Sequence, residues 1–206
     1  MNTATHRIHQ SAMRIFAENG GTTLAVSDLA REAGLSRGTI YNNLEDPSSL
    51  FTSVCETIAT EFRESIGTAT EHMDDPAAKI SASIRLCVRR VHDDTAWGRF
   101  IARYGMIEPQ LGSFWAEMPA EELRRGLISG RFTFHRDQVA SITATAGGAT
   151  FGAMSLVLDG HRTWRQAGSD TAEIILRGIG IDRLEARDIT QCELNPLPRA
   201  SVFDAA

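Results

Sequence analysis

Residues 27–44 read S-D-L-A-R-E-A-G-L-S-R-G-T-I-Y-N-N-L, and this stretch decides the fold. Leu29, Ala30 and Ala33 recur at helical spacing and give a short helix one apolar face. Gly34 follows, and a glycine there takes the left-handed conformation that ends a helix without a Cβ clash. Leu35 fills the turn. Ser36 is placed to cap a second short helix by accepting a backbone N–H of its first turn. In that helix Ile40 and Leu44 point inward at i, i+4. Arg37, Thr39, Tyr41, Asn42 and Asn43 are left on its other faces. Ala30 is small where two helices must cross closely. A tight turn, a small crossing residue and a polar outer face are what a helix needs to enter a DNA major groove.

Outward from this stretch the pattern is helical throughout. A first helix is expected from about His6 to Asn19. A long fourth one is expected from Pro47, capped by Asp46, with Leu50, Val54, Ile58, Phe62 and Ile66 at steady i+4 spacing. Asp74-Asp75-Pro76 breaks it. Ile80, Ile84, Val88 and Val91 mark the next helix, and Trp97, Phe100, Ile101 and Tyr104 another. Pro109 and Pro119 are expected to bracket an irregular aromatic connection, followed by a helix from Pro119 to Ser129 that Gly130 ends. Asp170-x2-Glu173 reads as a capping box opening a late helix, and Asp182-x2-Glu185 as one opening a last short helix. The tail, 196–206, reads as loose.

Val139 to Leu158 carries no charge over twenty residues, long enough for a membrane span. Its side chains argue against one. Ser141, Thr143, Thr145, Thr150 and Ser155 are polar, and Gly147, Gly148 and Gly152 each lower helix propensity by about 1 kcal/mol. Small residues suit close contact with other helices instead. Gly147-Gly148-x3-Gly152 is no phosphate loop either, lacking a preceding strand and a following Lys-Ser/Thr.

Composition is that of a soluble globular protein: 206 residues, 42% hydrophobic and 23% charged. The net charge is −5. Through Cys55 the bases are Arg7, Arg14, Arg31 and Arg37, against Glu18, Asp28, Glu32, Glu45 and Asp46. DNA binding would therefore rest on a local cluster of Arg37, neutral donors and helix N-termini, with a His6-Arg7 arm as a further contributor. Few phosphates would be neutralised per subunit, and the salt slope would be modest. Cys55, Cys87 and Cys192 are odd in number and far apart, which suggests reduced thiols and a cytoplasmic protein. No secretion signal opens the chain.

The residues resemble the TetR family of transcriptional regulators. Ile8-x6-Ile15-Phe16-Ala17-Glu18-Asn19-Gly20 is similar to that family's first helix, Gly38-Thr39-Ile40-Tyr41 to its recognition helix, and Leu50-Phe51 to the start of its fourth. Gly126-x3-Gly130-Arg131-Phe132, with the Ala/Gly-rich helix and Leu197-Pro198, also resembles part of its ligand domain. Departures are Ala25 in place of Thr, Asn43-Leu44 in place of His-Phe, and Pro47 in place of Lys.

The resemblance implies an all-α homodimer. A three-helix helix-turn-helix head (1–50) would join, through the long fourth helix, a ligand-binding and dimerisation body (51–195). The expected function is repression from a palindromic double-stranded operator, released by a small apolar or aromatic effector. Base edges are assigned to Arg37 and Asn42 and phosphates to Thr39 and Tyr41, with Ser27, Ser36, Gly38 and Asn43 completing the DNA set. Phe62, Ile66, Trp97, Phe100, Tyr104, Trp115 and Phe151 are the expected pocket. Dimerisation by the last two long helices would use Ala146, Gly148, Ala149, Gly152, Ala153, Ile175 and Ile179. The alternative is a helical sensor or scaffold with weakened DNA binding, which Ala25 and Pro47 favour.

No catalytic signature, cofactor motif or membrane partner is read. His92-Asp93-Asp94 and His72-x-Asp74-Asp75 sit at helix ends, where solvated carboxylates are common. His135 and His161 have no partner at metal-ligand spacing.

Overall fold

The computed structural model describes residues 3–44, 46–195 and 197, with the backbone alone for 113, 114 and 116–118. Among these, all regular structure is helical. The order is α1 (Thr3–Asn19), α2 (Val26–Ala33), α3 (Arg37–Asn43), α4 (Leu50–Thr70), α5 (Pro76–Asp93), α6 (Thr95–Tyr104), α7 (Pro109–Ile128), α8 (Val139–Leu158), α9 (Trp164–Gly178) and α10 (Arg183–Gln191). The all-α expectation holds. Of the expected tail, residues 196 and 198–206 lie outside what is described. Leu197 packs against the core.

Local chemistry sets most boundaries. Gly34 stands at φ +61° and closes α2, as its position predicts. Ser36 caps α3 by accepting from the Thr39 N–H at 3.0 Å. Asp75 caps α5 and Asp94 caps α6 through their side chains. Asp46 caps a short 3-10 turn, Pro47–Ser49, so α4 proper starts three residues later than expected.

Two expectations fail. The segment from Pro109 to Ile128 is one continuous helix with Pro119 inside it. An interior proline costs about 3 kcal/mol. Leu111, Trp115, Ala120 and Leu123 are buried on both sides of it, and large apolar side chains contribute roughly 1.5–3 kcal/mol each. Packing therefore outweighs the break. Likewise, α9 opens at Trp164 rather than at Asp170. Thr163 and Gln166 form its capping box, the Thr163 hydroxyl accepting from the Gln166 N–H at 3.2 Å. Asp170 is an exposed mid-helix residue, and Glu185 turns to Arg131 at 2.7 Å.

The core forms two clusters. One runs without interruption from Ile8, Leu29 and Ile40 through Leu50 and Phe51 to Phe62, Trp97 and Met154, joining the head to the near half of the body. The other, at the far end, holds Ile80, Leu123, Phe132, Leu176 and Ile179. Gly126 belongs to this end. A Cβ there would penetrate the Phe132 ring, which lies flat on the α7 backbone. That contact gives the Gly126-x3-Gly130-Arg131-Phe132 motif its physical meaning. Arg131 then holds Asp75 at 2.9 Å and clamps the start of α5. Among the described residues, Arg136–Leu158 is the one helix long and apolar enough to cross a bilayer, and its α8 part packs on α5, α7 and α9.

Candidate functional site

The outer face of the head is built on α3. Ile40 is fully buried against α2 and α1, which turns Arg37, Gly38, Tyr41 and Asn42 outward as two i, i+4 pairs. Tyr41 is 58% exposed, unusual for an aromatic with no partner to cover it. The remaining DNA-set residues are partly engaged within the head. The Ser36 and Thr39 hydroxyls bond each other at 2.9 Å. The Asn43 side-chain amide donates to the Thr39 carbonyl at 2.8 Å, and Thr5 donates to its oxygen at 3.4 Å, tying α3 to α1. Ser27 is half-buried on α2. Ala25 offers α2 no side-chain cap, and Asp28 pairs with Arg31 at 2.9 Å.

Arg7 is not part of a free arm. It lies within α1 and donates to the Ala33 carbonyl at 2.6 Å, at the C-terminal end of α2. The unpaired carbonyls and negative dipole end there attract a cation. His6 is buried in α1 as well.

The head is held to the body at the end of α6. Phe51 meets Phe16 edge-on at 5.1 Å and Tyr104 at 4.9 Å. The Tyr104 hydroxyl reaches the Phe16 and Gly21 carbonyls. Phe100, fully buried beside Tyr104, belongs to this junction too. Of the seven expected pocket residues, these two therefore pack the joint between head and body. Ile66 is sealed in the core. Phe62, Trp97 and Trp115 do converge, with Ile58, Ile101 and Leu111, on a small gap of about 10 Å³. Phe151 lies edge-on to Trp115 at 6.4 Å.

A larger cavity, about 50 Å³, opens between α5, α7 and α8. Ile80, Ser83, Ile84 and Cys87 line it from α5, Trp115, Pro119 and Glu122 from α7, and Ala146, Gly147 and Thr150 from α8. Of these, only Trp115 stood in the expected pocket. Ile80 and Ile84 read as ordinary core by spacing. The usable signal was small Ser83 and Cys87 beside them at i, i+4, leaving room. The Glu122 carboxylate is the charged group of the lining, held by Lys79 at 3.4 Å and Arg125 at 3.4 Å. Thr150 spends its hydroxyl proton on the Ala146 carbonyl. Burial pushes the Cys87 thiol well above its ordinary range, so it is a neutral packing group and no nucleophile. Among the described residues no three His, Cys, Asp or Glu side chains gather to hold a metal.

The expected dimerisation set divides. Ala146, Ala153, Ile175 and Ile179 are buried within the single chain and are unavailable to a partner. Gly148 and Gly152 are exposed and Ala149 is half-buried. The stripe that α8 turns to solvent is Ser141, Thr145, Gly148, Gly152 and Leu156, with Ile174 of α9 66% exposed.

Known proteins match both parts of this architecture. The family model described as bacterial regulatory proteins, tetR family, matches residues 8–43. The one described as tetracyclin repressor-like, C-terminal domain, matches residues 75–192. The crystal structure of RolR in complex with resorcinol is similar over 95% of this chain and 96% of that one, at 26% identity and a TM-score of 0.70. The fatty acid degradation regulator FadR from Bacillus halodurans shares the fold, with a TM-score of 0.73 at 15% identity over 88% of this chain and 99% of that one. The uncharacterized HTH-type transcriptional regulator YerO of Bacillus subtilis (strain 168) is 32% identical over 56 residues, 27% of this chain and 19% of that protein's length. The matched proteins and domains are regulators of transcription, not enzymes. With the second model covering more than half of its length, the chain belongs to the TetR family of transcriptional regulators.

Proposed function

We propose that the chain is a homodimeric cytoplasmic repressor that leaves a palindromic operator when a small neutral aromatic alcohol fills the cavity between α5, α7 and α8. The observation that carries this reading is the cavity's lining: apolar and aromatic, with one carboxylate, Glu122, set into it. A ligand hydroxyl would donate to that carboxylate, a charge-assisted bond of the strong kind. Lys79 and Arg125 already balance that carboxylate, so the cavity asks no charge of its ligand. Trp115 supplies a flat face for a ring. RolR, similar over nearly the whole chain, was crystallised with resorcinol, a ligand of this class.

A short physical path leads from the cavity to the head. The Trp115 indole N–H donates to the Gly105 carbonyl at 3.0 Å. The neighbouring Tyr104 holds the Phe16 carbonyl of α1. A ligand that displaces Trp115 would move the end of α6 and, with it, the head. Two heads must meet grooves one helical turn apart, about 34–36 Å, so a small rotation breaks the match. The ligand shifts the equilibrium only by its preference for the rotated state.

The test is a pair of titrations. The operator is first located by gel shift on the DNA upstream of the chain's own gene. Resorcinol is then titrated into the protein with and without that DNA. Reciprocal weakening by one common factor is expected. Equal affinities in the two titrations would rule the coupling out, and absence of any gel shift would favour a sensor without DNA binding.

A further inference from the structure

A second space lies on the other side of Trp115. It opens between α7 and the start of α8 and holds about 550 Å³. Trp115 and Gly147 form the wall it shares with the inner cavity. Its lining chemistry is the opposite. Arg124 comes from α7 and Arg136 from the turn before α8, both exposed at the rim. Five body arginines are matched by acids: Arg131 by Asp75 and Glu185, Arg125 by Glu122, Arg89 by Asp93, Arg90 by Asp94 and Arg177 by Glu173. Arg124 and Arg136 form no ion pair with the described residues, and they converge on one crevice. Asp137 is the acid among the described lining residues, which leaves the rim with a positive excess.

Deeper in, Thr143 is 6% exposed and its hydroxyl has no hydrogen-bond partner. A buried hydroxyl without a partner is unfavourable, and one lining a crevice calls for a ligand or water that satisfies it. Ala120, Val139, Ala140 and Ala144 supply apolar wall, and Met106, 55% exposed, lies at the mouth.

We propose that this crevice is a second ligand site, distinct from the inner cavity, for an organic monoanion with an apolar body. The guanidinium forks of Arg124 and Arg136 take the anionic head, since planar N–H pairs match a carboxylate. Thr143 bonds a polar atom further in, and the apolar body lies along Met106 and the α8 alanines. On α8, Ala140 and Ala144 continue the i, i+4 row of Gly148 and Gly152, about 80° round from them on average, so the crevice borders the exposed stripe. The inference stands whether or not the inner cavity takes an aromatic alcohol.

Octanoate is the probe, titrated calorimetrically into the full chain at low salt. Saturable binding of one octanoate per chain is expected. The Arg124→Ala, Arg136→Ala double variant should weaken it at least about tenfold, and 1-octanol should bind at least about tenfold more weakly than octanoate. Added salt should weaken octanoate binding, as it does for exposed charges. Ser83→Leu, which fills the inner cavity, should leave octanoate affinity unchanged; Cys87→Leu serves if that variant loses helicity. The proposal is overturned by no binding up to about 5 mM, a weak interaction on the affinity scale. It is equally overturned by undiminished binding in the double arginine variant, or by loss of octanoate binding when the inner cavity is filled.

Discussion

The Tyr104 hydroxyl sits 3.1 Å from the carbonyl oxygen of Phe16, joining the last residue of α6 to the end of the helix that carries the head. It lies 2.9 Å from the Gly21 carbonyl as well, so its single proton serves two acceptors. Around it Phe51, Phe100 and Phe16 complete an aromatic joint. Head and body are thus neither independent domains on a linker nor a uniform core. They share a continuous core, and the end of α6 ties it by specific hydrogen bonds.

Removing that bond should loosen the joint without emptying it. Tyr104→Phe keeps the ring contacts and loses the hydroxyl, at a cost of about 0.5–1.5 kcal/mol. Urea denaturation should report that loss. Resorcinol should still bind Tyr104→Phe, yet weaken operator binding by a smaller factor than in the parent chain. An unchanged factor would place the coupling elsewhere, with α4 the next candidate.

We propose that the exposed Arg37 and Asn42 of α3 meet base edges. Arg37→Ala should relax sequence preference at one operator position by roughly 1–3 kcal/mol, the worth of a bidentate guanine contact. Tyr41→Phe should weaken binding about equally at all sites, because a phosphate contact carries no sequence information. Competition gel shifts against single-base operator variants separate the two. Wild-type behaviour in both would remove this face from DNA recognition.

Assembly can be probed at three glycines of α8, two of them open and one enclosed. A Cβ at Gly148 or Gly152 meets nothing within 4 Å in the single chain. Gly148→Leu and Gly152→Leu should therefore leave monomer helicity intact and weaken the dimer at least about tenfold, about 1.4 kcal/mol. At Gly147 a Cβ would stand 3.6 Å from Trp115, facing inward. Gly147→Leu should disturb the cavity and spare the dimer. Sedimentation equilibrium with circular dichroism tests both, and an unaffected dimer in the first two variants would exclude this stripe as the interface.

Stability should fall between neutral and mildly acidic pH. Burial of His6 and His9 holds both imidazoles below their ordinary value. Below an ordinary imidazole pKa near 6.5, the unfolded chain binds more protons than the folded one. Stability is complete above that value and is lost as pH falls through it towards the lowered folded values. The urea midpoint should therefore be lower at pH 5.5 than at pH 7.5. His6→Leu, His9→Leu should flatten the difference, and a persistent slope in that variant would point to other groups. Asp75, held below the usual carboxylate range by its hydrogen bonds from Arg131, contributes only at more acidic pH, so the windows do not overlap.

Sequence alone determined the features whose causes lie within a few residues. Gly34 ends α2, and Ser36, Asp46, Asp75 and Asp182 each cap the helical turn they precede. The Thr163-x2-Gln166 box is equally local and equally legible, although Asp170-x2-Glu173 competes with it as a pattern. Ile40 faces inward because its spacing with its neighbours leaves no other choice, and the outward set Arg37, Tyr41 and Asn42 is a consequence. Tertiary structure decided the rest. Pro119 stays helical because residues far away in the chain bury both of its flanks. On α8, small and apolar residues occur all round, so no periodicity says that Ala146 and Ala153 turn inward while Gly148 and Gly152 face solvent. The cavity exists only where α5, α7 and α8 leave a gap. Its Glu122 looks like any surface acid until Lys79, from another helix, is brought to 3.4 Å. Backbone caps are satisfied by the nearest donors and acceptors, whereas a cavity is defined by what fails to fill it, and that depends on every helix around it at once.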